Sequence, residues 1–418
     1  DEADGFHVTW QNNRSGNDDI FATSYVPDGG GYVWKLVRQV SDDNDAPKQN
    51  PSIQVLDWLE PTGITYTVAS SSPYTVTVTG VISHSAQIFV VTWEDFRNDL
   101  GDDAIDTPDI AMAISTDSGE TFDVDQFITQ SDTDGKQQNP DVTLTKDTTT
   151  INFTVPLPGS NETSIEVEVP VGIIHTVWEG HSTSAILDSD IFYNASQIQA
   201  EEVGDGRGLR LILEVGPNEK INQDDSRDWQ TTPVDQRGPS LVVVPCDPDN
   251  EEESDWNLFI AWADGRNYDS FNHDIYYTLK STCSANLAGN QMLNNGVRLH
   301  NFDTSNPSFD EYDAGSPLPG KQLNPSVAAE IQLEGQLVSG GYLYLVWVDN
   351  RAGDHPNAEQ DIYFARSNLT FFNQGVFGYG AGSYISDSLD SEDDDTTWYT
   401  IDWTAATPSS TYVTVQTR

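Results

Sequence analysis

One hairpin pattern recurs five times along this chain, and any fold for it must place five equivalent units. The copies read HVTWQNNRSGNDDIF from His7, FVVTWEDFRNDLGDDAIDTPDIAM from Phe89, HTVWEGHSTSAILDSDIFY from His175, LFIAWADGRNYDSFNHDIYY from Leu258 and YLVWVDNRAGDHPNAEQDIYF from Tyr344. Their tryptophans, Trp10, Trp93, Trp178, Trp262 and Trp347, stand 83, 85, 84 and 85 residues apart. A regular period marks a structural repeat, in which one supersecondary unit is copied along the chain. Each copy has a β-branched run into the Trp, a polar loop, and then Asp-Ile leading a second apolar run, the pattern of two strands joined by a turn. Helical periodicity is absent, so the chain is read as all-β.

Side chains alternate faces along a strand, so Trp262, Asp264 and Arg266 share one face, as do Asp274 and Tyr276 on the returning strand. Two acids can then flank one guanidinium. Arg266 is expected to pair with Asp264 or Asp274, and Arg351 with Asp349 or Asp361, as structural charge-assisted bonds that fix each hairpin. The Trp178 copy has Gly180 and Ser182 at the Asp and Arg positions, and the Trp10 copy has Asn12 beside a retained Arg14. Those two hairpins are expected to lack the ion cluster.

A second repeat precedes the Trp in four copies: QNPSI ending at Ile53, QNPDV at Val142, RGPSL at Leu241 and LNPSV at Val327. It reads as the innermost strand of each unit, with Pro at its first residue. The Trp10 copy has no such element ahead of it. The strand-like material left unassigned is WYTIDWTA from Trp398 and TYVTVQ from Thr411, and one of these is expected to complete the Trp10 unit. A donor in the same chain closes a ring, the arrangement favoured here. A donor from a neighbouring subunit makes a homo-polymer, as a ring or a filament.

The W-x-D-x-R pattern, a Gly- or Asp-rich loop, then D-I-Y, with a Pro-bearing strand ahead, resembles the repeat of secreted and cell-surface β-propellers. STDSGETF, Ser115 to Phe122, resembles the Asp-box of sialidase-like propellers, with Phe122 in place of the Trp, between the third and fourth strands of its unit. The resemblance implies a five-bladed β-propeller over residues 1–385. Residues 386–418 are then an acidic linker and a closing strand segment. Extra chain between Ile53 and Trp93, and between Thr150 and Val169, reads as added hairpins on two adjacent blades.

The chain's 67 acidic residues against 19 Lys plus Arg give a net charge of −48. That charge repels phosphate backbones and anionic membranes, which excludes nucleic acid as a partner. No apolar run has the length of a membrane span. Five Asn-x-Ser/Thr sequons, at Asn13, Asn152, Asn161, Asn194 and Asn368, and a disulfide expected between Cys246 and Cys283 fit an extracellular or cell-surface location.

The seven His residues show no zinc-ligand spacing. Calcium is the cofactor to expect if the acidic loops bind metal, with Asp102, Asp103 and Asp106 in one loop and Asp132 and Asp134 in another as the oxygen ligands. Sialidase chemistry needs an arginine cluster, but Arg14, Arg97, Arg266 and Arg351 are already accounted for as repeat members. The reading is a non-enzymatic structural or binding module, meeting a glycan or protein at the cell surface. The rival is a glycan-active hydrolase on the same ring, which two convergent carboxylates in a central pocket would favour.

Overall fold

The computed structural model describes residues 5–13, 18–28, 30–42, 46–56, 65–68, 76–79, 87–97, 107–123, 125–129, 135–156, 162–181, 189–203, 208–222, 236–245, 256–264, 274–281, 297–298, 322–334, 337–349, 361–368 and 382–384. Every regular element among them is a β-strand. The strands form five antiparallel sheets, one for each Trp, and one separate two-stranded hairpin.

The first sheet holds β1 (Phe6–Asn12), β2 (Asp19–Asp28) and β3 (Gly31–Trp34) in that order, with β4 (Arg38–Gln39) also on β2. In the second, β5 (Lys48–Leu56) is followed by the separate hairpin β6 (Thr65–Val68) and β7 (Val76–Thr79). Beside β5 lie β8 (Ile88–Asp95), β9 (Asp109–Ser115) and β10 (Gln126–Phe127). The third comprises β11 (Gln137–Pro156), β12 (Glu162–His181), β13 (Ser189–Val203) and β14 (Gly208–Glu214), with β15 (Asn218–Lys220) also on β13. The fourth has β16 (Gln236–Pro245), β17 (Trp256–Asp264), β18 (Asp274–Ser281) and β19 (Val297–Arg298). The fifth has β20 (Gln322–Glu334), β21 (Leu337–Asp349), β22 (Asp361–Asn368) and β23 (Gly382–Tyr384). Sheets two to five thus share one order: Pro-bearing strand, Trp strand, Asp-Ile strand, outer strand.

Both expected extra hairpins are present. The second is an extension of existing strands, since the pairing of β11 with β12 runs on from Asp141↔Val177 to Pro156↔Glu162. Among the described strands β1 pairs with β2 alone, so the first sheet begins at its Trp strand. The chain divides into two units, Asp1–Tyr384 and Ile385–Arg418. The latter, with the acidic linker and both candidate closing strands, lies outside the described residues, as do Arg14, Arg266, Arg351, Cys246 and Cys283.

The Pro-bearing strands correct the sequence reading. Proline is not their first residue; β5 begins three residues before Pro51. In all four, the register slips just around the proline: between Gln49 and Ser52, Gln138 and Asp141, Arg237 and Ser240, and Leu323 and Ser326. The residue before each proline has positive φ: Asn50 at 49°, Asn139 at 54°, Gly238 at 54° and Asn324 at 50°. A bulge relieves proline of a ladder bond that it cannot make, and Asn or Gly is the residue type that tolerates the left-handed conformation. Asn139→Ala should therefore be less stable than Asn139→Gly by about 1 kcal/mol in urea denaturation. Equal stabilities would mean that the backbone angle does not select this residue.

Apolar side chains fill the space between successive sheets. Ile20, Ala22 and Val40 of the first sheet meet Val91, Trp93 and Ala111 of the second. Ile88, Val90 and Met112 then meet Leu144, Ile174 and Trp178 of the third. Val177 and Tyr193 meet Leu258 and Trp262, and Phe259 and Ala261 meet Leu345 and Trp347. Each of these four tryptophans is buried against the sheet that precedes it, whereas Trp10 is only half-buried. Burying an aromatic of this size contributes roughly 2–3 kcal/mol.

The indole N–H groups need partners inside this core. Trp93 Nε1 donates to Asp95 Oδ2 at 3.1 Å and Trp262 Nε1 to Asp264 Oδ2 at 2.9 Å. In the Trp178 unit, where Gly180 replaces that Asp, Trp178 Nε1 donates to Gln137 Oε1 at 2.7 Å instead. A Cβ at Gly180 would stand 2.6 Å from Gln137 Oε1, so the glycine makes room for the substitute acceptor.

Candidate functional site

The bulges bring side chains of successive units together. Glu94 follows Trp93 on β8 and Glu179 follows Trp178 on β12, and both carboxylates are buried. Glu94 Oε1 accepts from Asn50 Nδ2 in its own sheet and from Asn139 N in the next, each at 2.7 Å. Glu179 repeats the arrangement one sheet on: Oε1 accepts from Gln138 Nε2 at 2.6 Å, and Oε2 from Asn139 Nδ2 at 3.0 Å and Gly238 N at 3.3 Å. The positive-φ residue aims its N–H at the preceding sheet's glutamate, so the backbone bend and the acid work as one device. In the other three hairpins this position is Gln11, Ala263 and Val348.

Beside Glu94 a cavity of about 650 Å³ is lined by Gln49, Asn50, Glu94, Phe96, Arg97, Lys136, Gln138 and Asn139, with Ala46 and Pro47. Burial raises the Glu94 carboxyl above its ordinary range. The Asn139 N–H, the Asn50 amide and the Lys136 charge pull it back, and Glu179 pushes the same way as burial. The cavity thus offers carboxamides, one ring, one carboxylate and the Lys136 ammonium.

Arg97 is engaged. Its Nε and Nη2 donate to Asp95 at 2.9 and 2.5 Å, Nη1 donates to Asp125 Oδ1 at 2.9 Å, Nη2 also bonds Asp125, and the guanidinium lies 4.9 Å from the Phe127 ring centre. Burial works against its charge, but the two acids more than offset this and hold its pKa above the ordinary arginine value. The ion cluster expected in each Trp-Asp-Arg hairpin is thus seen in the second unit with a different second acid. Asp109, opposite Asp95 in the register, instead accepts from Thr129 Oγ1 at 3.0 Å. Asp125 comes from the segment ahead of β10.

The Ser115–Phe122 segment forms a closed turn between β9 and β10. Ser115 Oγ donates to Asp117 Oδ1 at 2.8 Å and accepts from Gly119 N at 2.9 Å. Asp117 accepts Thr121 N at 2.8 Å and Thr121 Oγ1 at 2.6 Å. Burial opposes the Asp117 charge, but these donors outweigh it and lower its pKa. The turn is tied to its surroundings as well, with Ser118 Oγ accepting from Gln87 N at 3.1 Å and Glu120 paired with Arg38.

Asp102, Asp103, Asp106, Asp132 and Asp134 lie outside the described residues, and no cluster of three metal-ligating side chains occurs among the described ones. The sequon at Asn194 is corrected by the fold. Its side chain is fully buried on β13, with Nδ2 donating to Gly216 O at 2.6 Å and Asn218 Oδ1 at 2.9 Å, so it is no glycan acceptor in the folded chain. Asn13 is exposed.

The residues of the cavity were not singled out in the sequence. Two signals pointed to them: Asn before the repeated proline, and a glutamate directly after Trp in only two of five copies. No protein-family model matches this chain, and no curated protein and no solved structure matches it.

Proposed function

We propose that this chain is a five-bladed β-propeller outside the cell or on its surface. It acts without catalysis as a binding module, and its ligand is a glycan held at the cavity beside Glu94. The propeller reading is supported by successive sheets stacked face to face in chain order, with Trp93, Trp178, Trp262 and Trp347 each packed on the preceding sheet.

The observation that carries the functional part is the composition of the cavity. Among the described residues lining it, Glu94 is the one carboxylate, and its Oε1 is held by two structural donors. Glycoside hydrolysis by the usual route needs a second carboxyl across the scissile bond. The Gln49 carboxamide, the Lys136 ammonium, and the carboxamide groups of Asn50, Gln138 and Asn139 left over from their bonds to Glu94 and Glu179, beside the Phe96 ring, instead match the alternating hydroxyls and apolar face of a sugar.

The test is calorimetric titration with a panel of neutral and acidic oligosaccharides, with product analysis on the same mixtures. Binding without cleavage is expected, weakened about ten-fold by Gln138→Ala or Lys136→Ala through loss of one polar contact. Release of reducing ends that Glu94→Gln abolishes would establish the hydrolase instead.

A further inference from the structure

The described residues leave six large apolar side chains well exposed, and all belong to the first sheet: Phe6, Tyr32, Val33, Trp34, Leu36 and Val37. Five lie along its outer border, where Trp34 is 57 % exposed and Leu36 72 %. Elsewhere the outermost pieces are two or three residues long at β10, β15, β19 and β23, the usual protection of a sheet edge; β14 is longer, at seven residues, but no described side chain of it is among the well-exposed large apolar ones. Here β3 is apolar and pairs with β2 alone among the described strands. Its pairing continues through Lys35, which donates its N–H to Ser24 O at 2.7 Å and accepts at its carbonyl from Thr23 Oγ1 at 2.9 Å.

The register fixes which backbone groups of this edge point outward. Pro27 stands opposite Tyr32, and a proline, having no N–H, fits a non-hydrogen-bonded position of an antiparallel pair. Gly31, Val33 and Lys35 therefore bond inward to β2. Tyr32 and Trp34 turn their N–H and C=O groups away from the sheet.

We propose that this edge pairs antiparallel with the same edge of a second copy of the chain, about a two-fold axis at Val33. The outward groups of Tyr32 then meet those of Trp34 of the second copy, and the reciprocal pair follows by symmetry, while Val33 faces Val33. On one face the rings of Tyr25, Trp34 and the second copy's Tyr32 make a continuous row, extending the contacts that Tyr25 already makes with Tyr32 and Trp34 at 5.4 and 5.0 Å.

Charge selects this occupant and this register. Two molecules of charge −48 repel, so a lasting contact needs local attraction. On the other face, Lys35 of the second copy falls opposite Gly31, whose register partner on β2 is Asp28. Gly31 has no side chain, and a Cβ there would meet nothing within 4 Å. The ammonium can reach over it to Asp28, two strands or roughly 10 Å away between Cα atoms. Symmetry makes two such pairs. The register thus matches aromatic with aromatic, valine with valine and lysine with aspartate.

Sedimentation of the full chain over a concentration series tests the proposal. A monomer–dimer equilibrium is expected, tighter when salt screens the net charge. Lys35→Glu should weaken it about ten-fold, and adding Asp28→Lys to that variant should restore it. Val33→Cys should give a covalent dimer on oxidation, because a non-hydrogen-bonded antiparallel pair has the spacing of a disulfide. Leu36→Cys and the parent chain should not. All these positions are exposed, and unchanged melting would show that the variants fold. A monomer at every concentration, as when the chain's own C-terminal strand covers this edge, overturns the proposal. So does a dimer that ignores the charge swap, or one that does not cross-link through residue 33.

Discussion

Replacing Asp141 with Ala should destabilise the chain by about 3 kcal/mol in urea denaturation, more than any other polar substitution on the inner strands. Its carboxylate ties three sheets together. Oδ1 accepts from Ser52 Oγ at 2.8 Å in the second sheet and from Val142 N at 3.0 Å in its own. Oδ2 accepts from Ser240 Oγ at 3.0 Å and Leu241 N at 3.1 Å in the fourth. Ser240 Oγ in turn accepts from Val327 N of the fifth at 3.3 Å. Burial raises the Asp141 pKa, and its four donors oppose that, so the charge is costly to place there and is held by these bonds. Removing it leaves backbone N–H groups of buried Val142 and Leu241 without their acceptor, at about 1–3 kcal/mol each. Asp141→Asn should fall between, since a carboxamide accepts at one end only. A loss under about 1 kcal/mol for the Ala variant would mean that the inner strands are held by packing alone. A double-mutant cycle with Ser52→Ala then measures the coupling across the second and third sheets.

The hairpins were legible because period-two alternation and a repeated Trp are local signals. The strands around Trp93, Trp178 and Trp262 run where the alternation puts them. The added strand pairs were legible for the same reason. Outer strands such as β10, two residues long, carry too little pattern to be read. The proline bulge escaped because a proline inside a strand reads as a strand boundary, and only φ at Asn50 and its equivalents shows otherwise.

The polar groups were harder, because their partners lie in other units. The pairing of Arg97 with Asp95 follows from sequence neighbours, but Asp125 sits 28 residues further on, beyond any argument from a shared strand face. The cavity is less legible still. Asn50 and Asn139 belong to different repeats and meet only through Glu94, so each looks like an ordinary turn residue. Asn194 errs the other way: its tripeptide has the form of a surface signal, while on β13 it stands between Ile191 and Ile198, buried on opposite faces of a strand covered on both sides.

Acidification should weaken the fold through His175, by an amount that a single variant can isolate. The imidazole is fully buried on β12. Nδ1 is 2.7 Å from Tyr193 Oη and Nε2 is 2.9 Å from Thr145 Oγ1, with the Trp256 ring edge-on at 4.4 Å. Burial, and then the charge of Lys280, lower its pKa from 6.5 to about 3. Lys280 sits 4.3 Å above the Tyr193 ring and is held at 2.8 Å by Glu219, so among the described residues a second cation on His175 meets no acid that stabilises it. The folded state therefore binds its proton far less readily than the unfolded one. The stability contributed by the neutral ring is complete above about pH 6.5 and is lost as pH falls toward 3. Across that window the loss is roughly 4 kcal/mol, about half of it by pH 4.5. His175→Gln keeps a donor and an acceptor but cannot titrate. Urea denaturation of both chains at pH 7 and pH 4.5 should show the parent losing about 2 kcal/mol more than the variant. Other titrating groups, the raised carboxyl of Glu94 among them, act equally on both chains and cancel in the difference. Identical pH slopes would mean that His175 reaches solvent or a proton acceptor before the fold opens.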